Sequence, residues 1–296
     1  MCGIAALQVR DPALRPRLGA LMAEMTCRLV DRGPDAAGIA VYDAPELLPA
    51  GWSAVSVLDP GEAGWRDSVS AALGSEVDVR LFGPTAVLRA RATTAALAGA
   101  VRSAAPELTR IGRGAHAVTL KGVGLAEELT EAFGIGAMGG TQAIAHTRMA
   151  TESAVVASGS HPFSVDDDLC LVHNGSFSNH ASVRRTLRRQ GVDFDSENDS
   201  EVAARFIGHR MTAGDTLTEA LDRVVAVFDG FYTLVVTTAD TLAVLRDPIA
   251  CKPAIVAETP AWVAVASEYR ALAELPSVET ARIFEPEPGR VYTWTS

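Results

Sequence analysis

The sequence predicts an α+β protein in which helices pack on the outer faces of antiparallel sheets. Apolar spacing typical of helices is concentrated at 179–228, whereas segments typical of strands follow from 231 to 294. Helices and strands in separate blocks favour antiparallel sheets, because parallel sheets need a regular alternation of strand and helix. The 296 residues, 48% of them hydrophobic, are ample for a core in one large domain or two small ones.

The individual elements follow from the period of the apolar residues. Ile4–Val9 and Ala37–Tyr42 are typical of strands, and apolar residues at steps of three and four predict a helix over 14–29. The sequence RGPD at 32–35 ends that helix, because proline cannot enter its interior. Later elements are predicted as strands at Thr141–Thr147 and Leu169–His173, helices at Asn179–Gln190, Ser200–Met211 and Leu217–Phe228, and five further strands between Phe231 and Trp294.

Residues 43–138 form a stretch of different character. Short candidate strands alternate there with alanine-rich helices, and we find no motif that carries chemistry. The strands are predicted at Ala86–Arg91 and Ala115–Leu120, and the helices at Thr94–Ala104 and Leu125–Phe133. We interpret 43–138 as an inserted α/β subdomain within a single domain that spans 1–296.

The composition argues against several classes of function. The net charge of −10 and the pI near 5.1 oppose binding to phosphate backbones, so nucleic acid is not expected as a partner. No apolar run reaches the length of a membrane-spanning helix, and the first residues lack a signal-peptide pattern. We therefore expect a cytoplasmic protein without membrane contact. The chain has four cysteines and no C-x-x-C pair, which predicts neither a zinc site nor a disulfide framework.

The chain begins Met1-Cys2-Gly3-Ile4. Methionine aminopeptidase removes Met1 when the next side chain is small, which would leave Cys2 with a free α-amino group and a thiol. Such a residue combines a nucleophile with an amine whose unperturbed pKa is about 7.7–8.0, suited to proton transfer at neutral pH. The alternative is that Cys2 is a small buried hydrophobe and its position is arbitrary.

Four polar clusters are predicted at the ends of strands or the starts of helices, where folds of this kind place functional sites. They are RGPD at 32–35, HTR at 146–148, HNG at 173–175 and NDSE at 198–201. Each has a structural alternative. RGPD and HNG are also typical of turns, DSE of a helix cap, and Arg148 of a surface charge.

Together with Cys2, these clusters would form a set suited to the hydrolysis of a carboxamide. Asn174 and Gly175 can stabilise a tetrahedral oxyanion through the asparagine amide and the glycine N–H. Arg148 can bind an α-carboxylate through its guanidinium fork, and Asp199 can bind an α-ammonium group. Glutamine fits this set, because it has an amide at one end and both charges at the other.

The chain resembles the class II glutamine amidotransferases, which are N-terminal nucleophile hydrolases. The matching segments, in family order, are CGI at 2–4, RGPDAAGI at 32–39, HTRMAT at 146–151, HNG at 173–175, NDSE at 198–201 and RDP at 246–248. They span almost the whole chain, and six ordered motifs are far more specific than CGI alone. The resemblance implies a four-layer αββα sandwich, with Cys2 at the start of a strand.

The resemblance also implies the roles of individual residues. Cys2 is expected to be the nucleophile, Asn174 and Gly175 the oxyanion hole, and Arg148 and Asp199 the partners of the two charged ends of glutamine. The reaction would form a γ-glutamyl thioester and release ammonia, and water would then release glutamate.

Three further residues are expected near this set. Arg32 is expected beside the nucleophile, and His173 as a supporting residue. His146 is expected to be a structural residue at a strand end rather than a catalyst. No metal ion is expected.

Within the family, the chain is most similar to the free-standing amidotransferase subunits of glutamate-synthase-like systems, such as N-methylglutamate synthase. HNGSFSNH at 173–180, ENDSEVAA at 197–204 and SEYRAL at 267–272 carry this likeness. It implies a synthase partner that receives the ammonia. A further small subunit could belong to that partner. We recognise neither a Rossmann fingerprint nor a P-loop, so no cofactor is expected in this chain, and FMN and iron–sulfur are expected only on the partner.

The chain departs from the family pattern at three places. Met149-Ala150 replaces the aromatic–Ser or aromatic–Ala pair that is common after the arginine in other branches, and Ala250 stands where many relatives have glycine after RDP. The stretch 43–138 is longer than in the phosphoribosyl or glucosamine branches. Two alternative functions therefore stay open. One is a stand-alone hydrolase of γ-glutamyl compounds, and the other is a regulatory subunit without catalytic activity.

Overall fold

The computed structural model describes residues 2–58, 60–61, 64–149 and 155–296, which form strands and helices in comparable measure. The strands are β1 (Gly3–Val9), β2 (Ala36–Tyr42), β3 (Ser53–Leu58), β4 (Asp78–Phe82), β5 (Thr85–Ala90), β6 (Thr109–Gly114), β7 (Ala117–Val123), β8 (Gln142–Arg148), β9 (Phe163–Asp166), β10 (Leu169–Phe177), β11 (Gly230–Thr237), β12 (Thr241–Arg246), β13 (Ile255–Glu258), β14 (Trp262–Ala266), β15 (Arg282–Phe284) and β16 (Val291–Thr295). The α-helices are α1 (Leu18–Cys27), α2 (Trp65–Leu73), α3 (Thr94–Ala104), α4 (Ala126–Ala132), α5 (His180–Arg189), α6 (Asp199–Thr212) and α7 (Leu217–Val227). Within the described residues, no helix has both the length and the apolar character needed to cross a membrane.

Two antiparallel sheets form the body of the protein. The first has seven strands in the order β15-β13-β14-β1-β8-β2-β7, and the second has five in the order β16-β12-β11-β10-β9. β1 is a central strand of the first sheet, because it pairs with β14 on one side and with β8 on the other. Cys2 therefore lies at the end of a strand that is held along both edges.

The two sheets stack face to face, because alternate residues of their strands supply apolar side chains to both faces. Ile4 and Ala6 of β1 share a buried core with Val172 and Val235 of the second sheet. Leu7, on the other face of β1, belongs to the core that includes α1 and α4. The outer face of the second sheet is covered by α5, α6 and α7. Helices, two sheets and helices thus form four layers, which confirms the predicted αββα sandwich.

Some element boundaries differ from the predicted ones. Helix α1 begins at Leu18, because Pro12–Arg17 forms a 3-10 helix that contains Pro16. Strand β10 continues to Phe177, so HNG at 173–175 lies inside a strand, and the prediction that it follows a strand end is wrong. Strands β3, β4, β6, β9 and β15 have no counterpart among the predicted elements. In β4 and β6, charged residues and glycine obscure the strand pattern.

A third sheet lies within the range that the sequence predicts as an insertion. Its four strands, in the order β4-β5-β3-β6, enclose a core of their own with α2 and α3. β7 and α4 come from the same range, yet β7 pairs with β2 in the first sheet and α4 packs with α1. The part with its own sheet is thus narrower than 43–138, and its origin as an insertion remains a prediction.

The segment GIGAMG at 134–139 has the glycine spacing of a Rossmann fingerprint, so the prediction that the chain contains no such spacing is wrong. It follows helix α4 rather than a strand, and it forms a 3-10 turn at Ile135–Ala137. A dinucleotide-binding turn needs a strand before its glycines and a helix after them. GIGAMG is therefore a packing turn against α1.

Helix α1 covers β1, and its packing leaves no space for a side chain at Gly19. A Cβ atom there would lie 2.0 Å from the Ile135 carbonyl oxygen and 2.6 Å from that of Met138. Gly99 of α3 is a matched control, because a Cβ atom there has no neighbour within 4 Å. We expect Gly19→Ala to lower the free energy of unfolding by about 1–3 kcal/mol, and Gly99→Ala to raise it by about 0.5–1 kcal/mol. Urea denaturation measures both, and a stabilising effect of Gly19→Ala would contradict the close packing of α1.

Candidate active site

Cys2 immediately precedes β1, and its backbone is held from two directions. The Cys2 carbonyl oxygen accepts a hydrogen bond from Nε of Arg32 at 2.8 Å and another from Nδ2 of Asn174 at 3.1 Å. The Cys2 sulfur lies 3.4 Å from the backbone nitrogen of Met149 and 3.8 Å from its carbonyl oxygen. Arg32 of RGPD, Asn174 of HNG and Met149, which directly follows HTR, therefore all contact Cys2.

Arg32 reaches Cys2 because the RGPD turn packs closely on the end of β8. A Cβ atom at Gly33 would lie 2.4–2.5 Å from backbone atoms of Thr147 and Arg148, so only glycine allows this approach. The Arg32 guanidinium is buried and forms an ion pair with Glu268 at 2.7 Å. Glu268 thus holds the Arg32 guanidinium in place, and Arg32 in turn holds the backbone of Cys2.

Asn174 lies in β10 on the face turned toward the first sheet. Its Oδ1 lies 3.1 Å from Nε2 of His146, and its Nδ2 donates to Oγ of Ser267 at 3.2 Å as well as to Cys2. Because an amide oxygen only accepts, Nε2 of His146 carries the hydrogen in this contact. His146 therefore orients the Asn174 amide so that its NH₂ group faces Cys2.

Gly175 follows in β10 with a backbone that suits glycine alone. Its φ is +140°, and a Cβ atom there would lie 2.0 Å from the Phe231 carbonyl oxygen of β11. Tyr232 of β11 pairs with Gly175, and its N–H donates to the buried Asp247 carboxylate at 2.8 Å. The RDP segment thus supports the strand beside Gly175.

The departures from the family pattern have local consequences. The Asp247 carboxylate also accepts the backbone N–H of Ala250 at 3.1 Å, and Ala250 has a φ of +53°. This left-handed conformation favours glycine, so alanine adopts it here at some cost in backbone energy. Met149 lies beside the Cys2 thiol, whereas Ala150 and the end of HTRMAT lie outside the described residues.

The predicted partners of the charged ends of glutamine come from different layers. Arg148 is the last residue of β8, is buried, and donates from Nη1 to the Val156 carbonyl at 3.3 Å. Asp199 is the first residue of α6, and its Oδ2 accepts the backbone N–H of Phe177 at 2.9 Å. Phe177 lies in the same strand as Gly175, two residues further on. Asp199 is therefore tied to the strand that carries the predicted oxyanion residues.

His173 lies on the other face of β10 and packs against the helical layer. Its Nδ1 lies 2.8 Å from Oγ of Ser200 in α6, and its ring stacks on Phe177 with centroids 4.5 Å apart. Burial lowers the pKa of His173 to about 4, so the ring is neutral at physiological pH. His173 is thus placed to hold the start of α6, where Asp199 lies.

The sequence prediction assigned no chemistry to three residues that shape this site. His146 orients Asn174, Ser267 accepts from Asn174, and Glu268 pairs with Arg32. Ser267 and Glu268 belong to SEYRAL, a segment of the family resemblance whose composition gives no chemical signal. Only the position of His146 beside Arg148 in the HTR cluster could have suggested a role.

The pKa of the Cys2 thiol is lowered to about 7. Burial alone would raise it, but the His146 imidazole and the Met149 N–H favour the thiolate and outweigh burial. By contrast, burial raises the pKa of the Cys27 and Cys170 thiols. Cys2 therefore has the ionisation of a reactive cysteine, and these two do not.

Comparison with known proteins points to the same class. Residues 146–274 match the glutamine amidotransferase domain family. The chain is 44% identical over 299 residues to the glutamine amidotransferase-like protein GlxB of Rhizobium meliloti, an alignment that covers 99% of this chain and 98% of that protein. It is 38% identical over 122 residues to a glutamine–fructose-6-phosphate aminotransferase of Idiomarina loihiensis, which is 41% of this chain and 20% of that enzyme.

A solved structure gives the same fold. The glutamine phosphoribosylpyrophosphate amidotransferase of B. subtilis, complexed with ADP and GMP, matches with a TM-score of 0.60 at 19% identity. The match covers 99% of this chain and 47% of that one, so the chain spans about half the length of that enzyme.

The four layers, with Cys2 before a central strand, define a fold of the N-terminal nucleophile hydrolase type. The chain belongs to the class II glutamine amidotransferases, because its near full-length relative and its matched domain are both of that family. It is accordingly an enzyme of the amidotransferase and glutaminase type, a family whose substrate is glutamine. That this chain itself needs no metal or cofactor remains a prediction.

The lowered pKa of Cys2 predicts the pH dependence of its reactivity. Iodoacetamide is uncharged and reacts with the thiolate, so its rate with Cys2 should rise with pH, reach half its maximum near pH 7 and then level off. His146→Gln should move this midpoint upward, because the variant lacks the imidazole that favours the thiolate. The glutamine amide can still donate to Asn174, so the amide orientation is kept. Mass spectrometry of the Cys2 peptide gives the rates, and an unchanged midpoint in His146→Gln would contradict the electrostatic effect of His146.

Proposed function

We propose that this protein hydrolyses the side-chain amide of glutamine through a Cys2 thioester and supplies the ammonia to a synthase partner. The observation that supports this most strongly is the environment of Cys2. The pKa of its thiol is about 7, and its backbone carbonyl accepts a hydrogen bond from the Asn174 amide at 3.1 Å. A poised nucleophile beside an oriented amide donor is the arrangement that acyl transfer requires.

In the proposed reaction, removal of Met1 first frees the α-amino group of Cys2. This amine takes the thiol proton, and the sulfur attacks the amide carbon of glutamine. The amine then gives the proton to the leaving nitrogen, the C–N bond breaks, and ammonia departs from a γ-glutamyl thioester. Water, deprotonated by the same amine, attacks the thioester carbon. The C–S bond breaks, glutamate leaves, and the sulfur recovers a proton.

Asn174 and Gly175 are proposed to stabilise the oxyanions of this reaction. The NH₂ group of Asn174 donates to the Cys2 carbonyl and to Ser267 at 3.1 and 3.2 Å. Both distances lie at the upper end of the normal range for N–H···O hydrogen bonds, so a substrate oxyanion that approaches the NH₂ group can share one of its hydrogens. A donor in this role contributes on the order of 100- to 1,000-fold in kcat.

Arg148 and Asp199 are proposed to bind the α-carboxylate and the α-ammonium of glutamine. The Arg148 side chain is buried, so a carboxylate beside it would interact with little screening by water. Loss of such a contact costs about 2–5 kcal/mol. The Asp199 side chain is 22% exposed, which leaves it accessible to an ammonium group while Oδ2 holds Phe177.

The ammonia acceptor is proposed to be a glutamate-synthase-like enzyme, with FMN and iron–sulfur on that partner. The resemblance to free-standing amidotransferase subunits supports this, because such a subunit needs an acceptor elsewhere. Exposed apolar side chains next to the site also support it. The side chains of Met149, Val155 and Val156 are 42–45% exposed. Met149 lies beside Cys2, and the backbone carbonyl of Val156 accepts a hydrogen bond from Arg148. A docked partner would cover them.

The partner is tested by comparing glutamine hydrolysis in the isolated chain with that in the native complex that co-purifies with it. We expect the complete complex with its substrates to hydrolyse glutamine about 5- to 150-fold faster, the usual range of coupling between sites. The matched control is a complex with Cys2→Ala, which should form product from ammonium salts but not from glutamine.

Other outcomes favour the alternative functions. Full-speed hydrolysis by the isolated chain, unchanged by any partner, would contradict the proposal and favour a stand-alone γ-glutamyl hydrolase. A complex that uses only free ammonia although Cys2 is intact would indicate a regulatory subunit.

A further inference from the structure

A cavity lies apart from the candidate active site, between the third sheet and helices α5 and α6. It has a volume of about 740 Å³, and none of the proposed catalytic or glutamine-binding residues lines it. Its walls carry a concentration of positive charge, from Arg102, Arg110, Arg113, Arg188 and Arg205. The whole chain has a net charge of −10, so five arginines in one cleft stand out against its overall charge. Four of them form ion pairs, Arg110 and Arg205 with Asp195, Arg113 with Asp166 and Asp167, and Arg188 with Glu197.

The inner end of this cleft is a pocket of about 40 Å³ beside Lys121. Cleft and pocket are adjacent, because both are lined by Arg110, Ser164 and Arg205. Lys121 is 2% exposed, and its ammonium lies 4.8 Å from the centre of the Phe163 ring. Within the described residues, this ammonium has no hydrogen-bond or ion-pair partner.

A buried cation without a partner is costly, and burial accordingly lowers the pKa of Lys121 to about 7. Nearby carboxylates compensate it only in part, because Glu201 raises the pKa of Lys121 but forms its ion pair with Arg205. The carboxylates of cleft and pocket are those of Asp166, Asp193, Asp195 and Glu201, against five arginines and Lys121. Asp195 pairs with Arg110 at 3.5 Å and with Arg205 at 2.7 Å, so it neutralises the arginines rather than the lysine.

We propose that this cleft binds a small polyanion, a metabolite with phosphate or carboxylate groups, and that one of its acidic groups enters the pocket beside Lys121. The guanidinium groups along the cleft suit such groups, because their planar forks match phosphate and carboxylate oxygens. The hydroxyl groups of Ser158 and Ser164 line the same pocket and can donate to the bound group, whereas that of Ser196 already donates to Glu201 at 2.7 Å. Its volume exceeds that of a water site and suits a single acidic group.

The pocket touches both segments that hold the proposed glutamine-binding charges. Ser158 lies in the turn at 157–159, next to Val156, whose carbonyl accepts from Arg148. Ser196, which also lines the pocket, lies just before the start of α6, where Asp199 stands. An anion held in the pocket by Lys121 and Ser158 would order both of these segments, so we expect it to lower the KM for glutamine. This coupling rests on the proposed function, whereas the binding itself does not.

Isothermal titration calorimetry of the full chain tests the site with pyrophosphate and with citrate, which separate the phosphate and carboxylate sources. Titrations at about pH 6.5 keep most of the Lys121 population protonated, and chloride at equal ionic strength is the reference. We expect saturable binding of at least one of the two anions. Lys121→Met should weaken it by about 30-fold or more, because methionine keeps the length of the side chain without its charge.

Two further variants make the test specific. Arg110 lies on the wall that cleft and pocket share, so Arg110→Gln should also weaken binding. This variant replaces Lys121→Met if the latter does not fold. Arg80→Gln is the matched control, because Arg80 is 63% exposed on β4 and lies outside both cavities. Binding should be unchanged in this control.

The possible results distinguish the two parts of the inference. No saturable binding of either anion, or equal affinity in wild type and Lys121→Met, would overturn the site. Binding that needs Lys121 but leaves the KM for glutamine unchanged would support the site and refute the coupling. Absence of glutamine hydrolysis in the native complex would count against the proposed function and not against the anion site.

Discussion

The carbonyl oxygen of Cys2 is the contact on which the geometry of the site depends. The first residues of a chain are usually among its least ordered parts. Here Arg32 and Asn174 donate to this one oxygen, and β1 pairs on both edges directly after it. A hydrogen bond from a charged donor such as Arg32 contributes about 1.5–3 kcal/mol. The thiol is thereby held at a defined position relative to the Asn174 amide.

Each of the two donors is in turn fixed by a neighbour. Glu268 holds the buried guanidinium of Arg32, and His146 holds the amide oxygen of Asn174. The same His146 favours the thiolate of Cys2, so one imidazole affects both the Cys2 thiol and the Asn174 amide. Preorganisation of this kind removes the need to order these groups during the reaction.

The sequence predicted the fold and the members of the site better than their local structure. Periodicity predicted the bounds of α3 at Thr94–Ala104, and the order of the motifs predicted that Cys2 and Asn174 belong together. The extension of β10 through HNG could not be foreseen from the sequence, because a glycine at this place is equally typical of a turn. In the structure, Gly175 adopts a positive φ within the strand. The burial of Lys121 could not be foreseen either, since a lysine in a strand indicates an exposed face unless the partner layer is known.

Cys2, with its own free amine, is proposed to form the covalent intermediate. A diazoketone analogue of glutamine alkylates the residue that attacks the substrate, so peptide mapping after its reaction gives the most direct test. We expect one label per chain, on Cys2 and not on Cys27, Cys170 or Cys251. We also expect a variant with an uncleavable extension before Cys2 to lose glutamine hydrolysis. A label on another cysteine, or undiminished hydrolysis by the intact extended protein, would contradict the proposed role of Cys2.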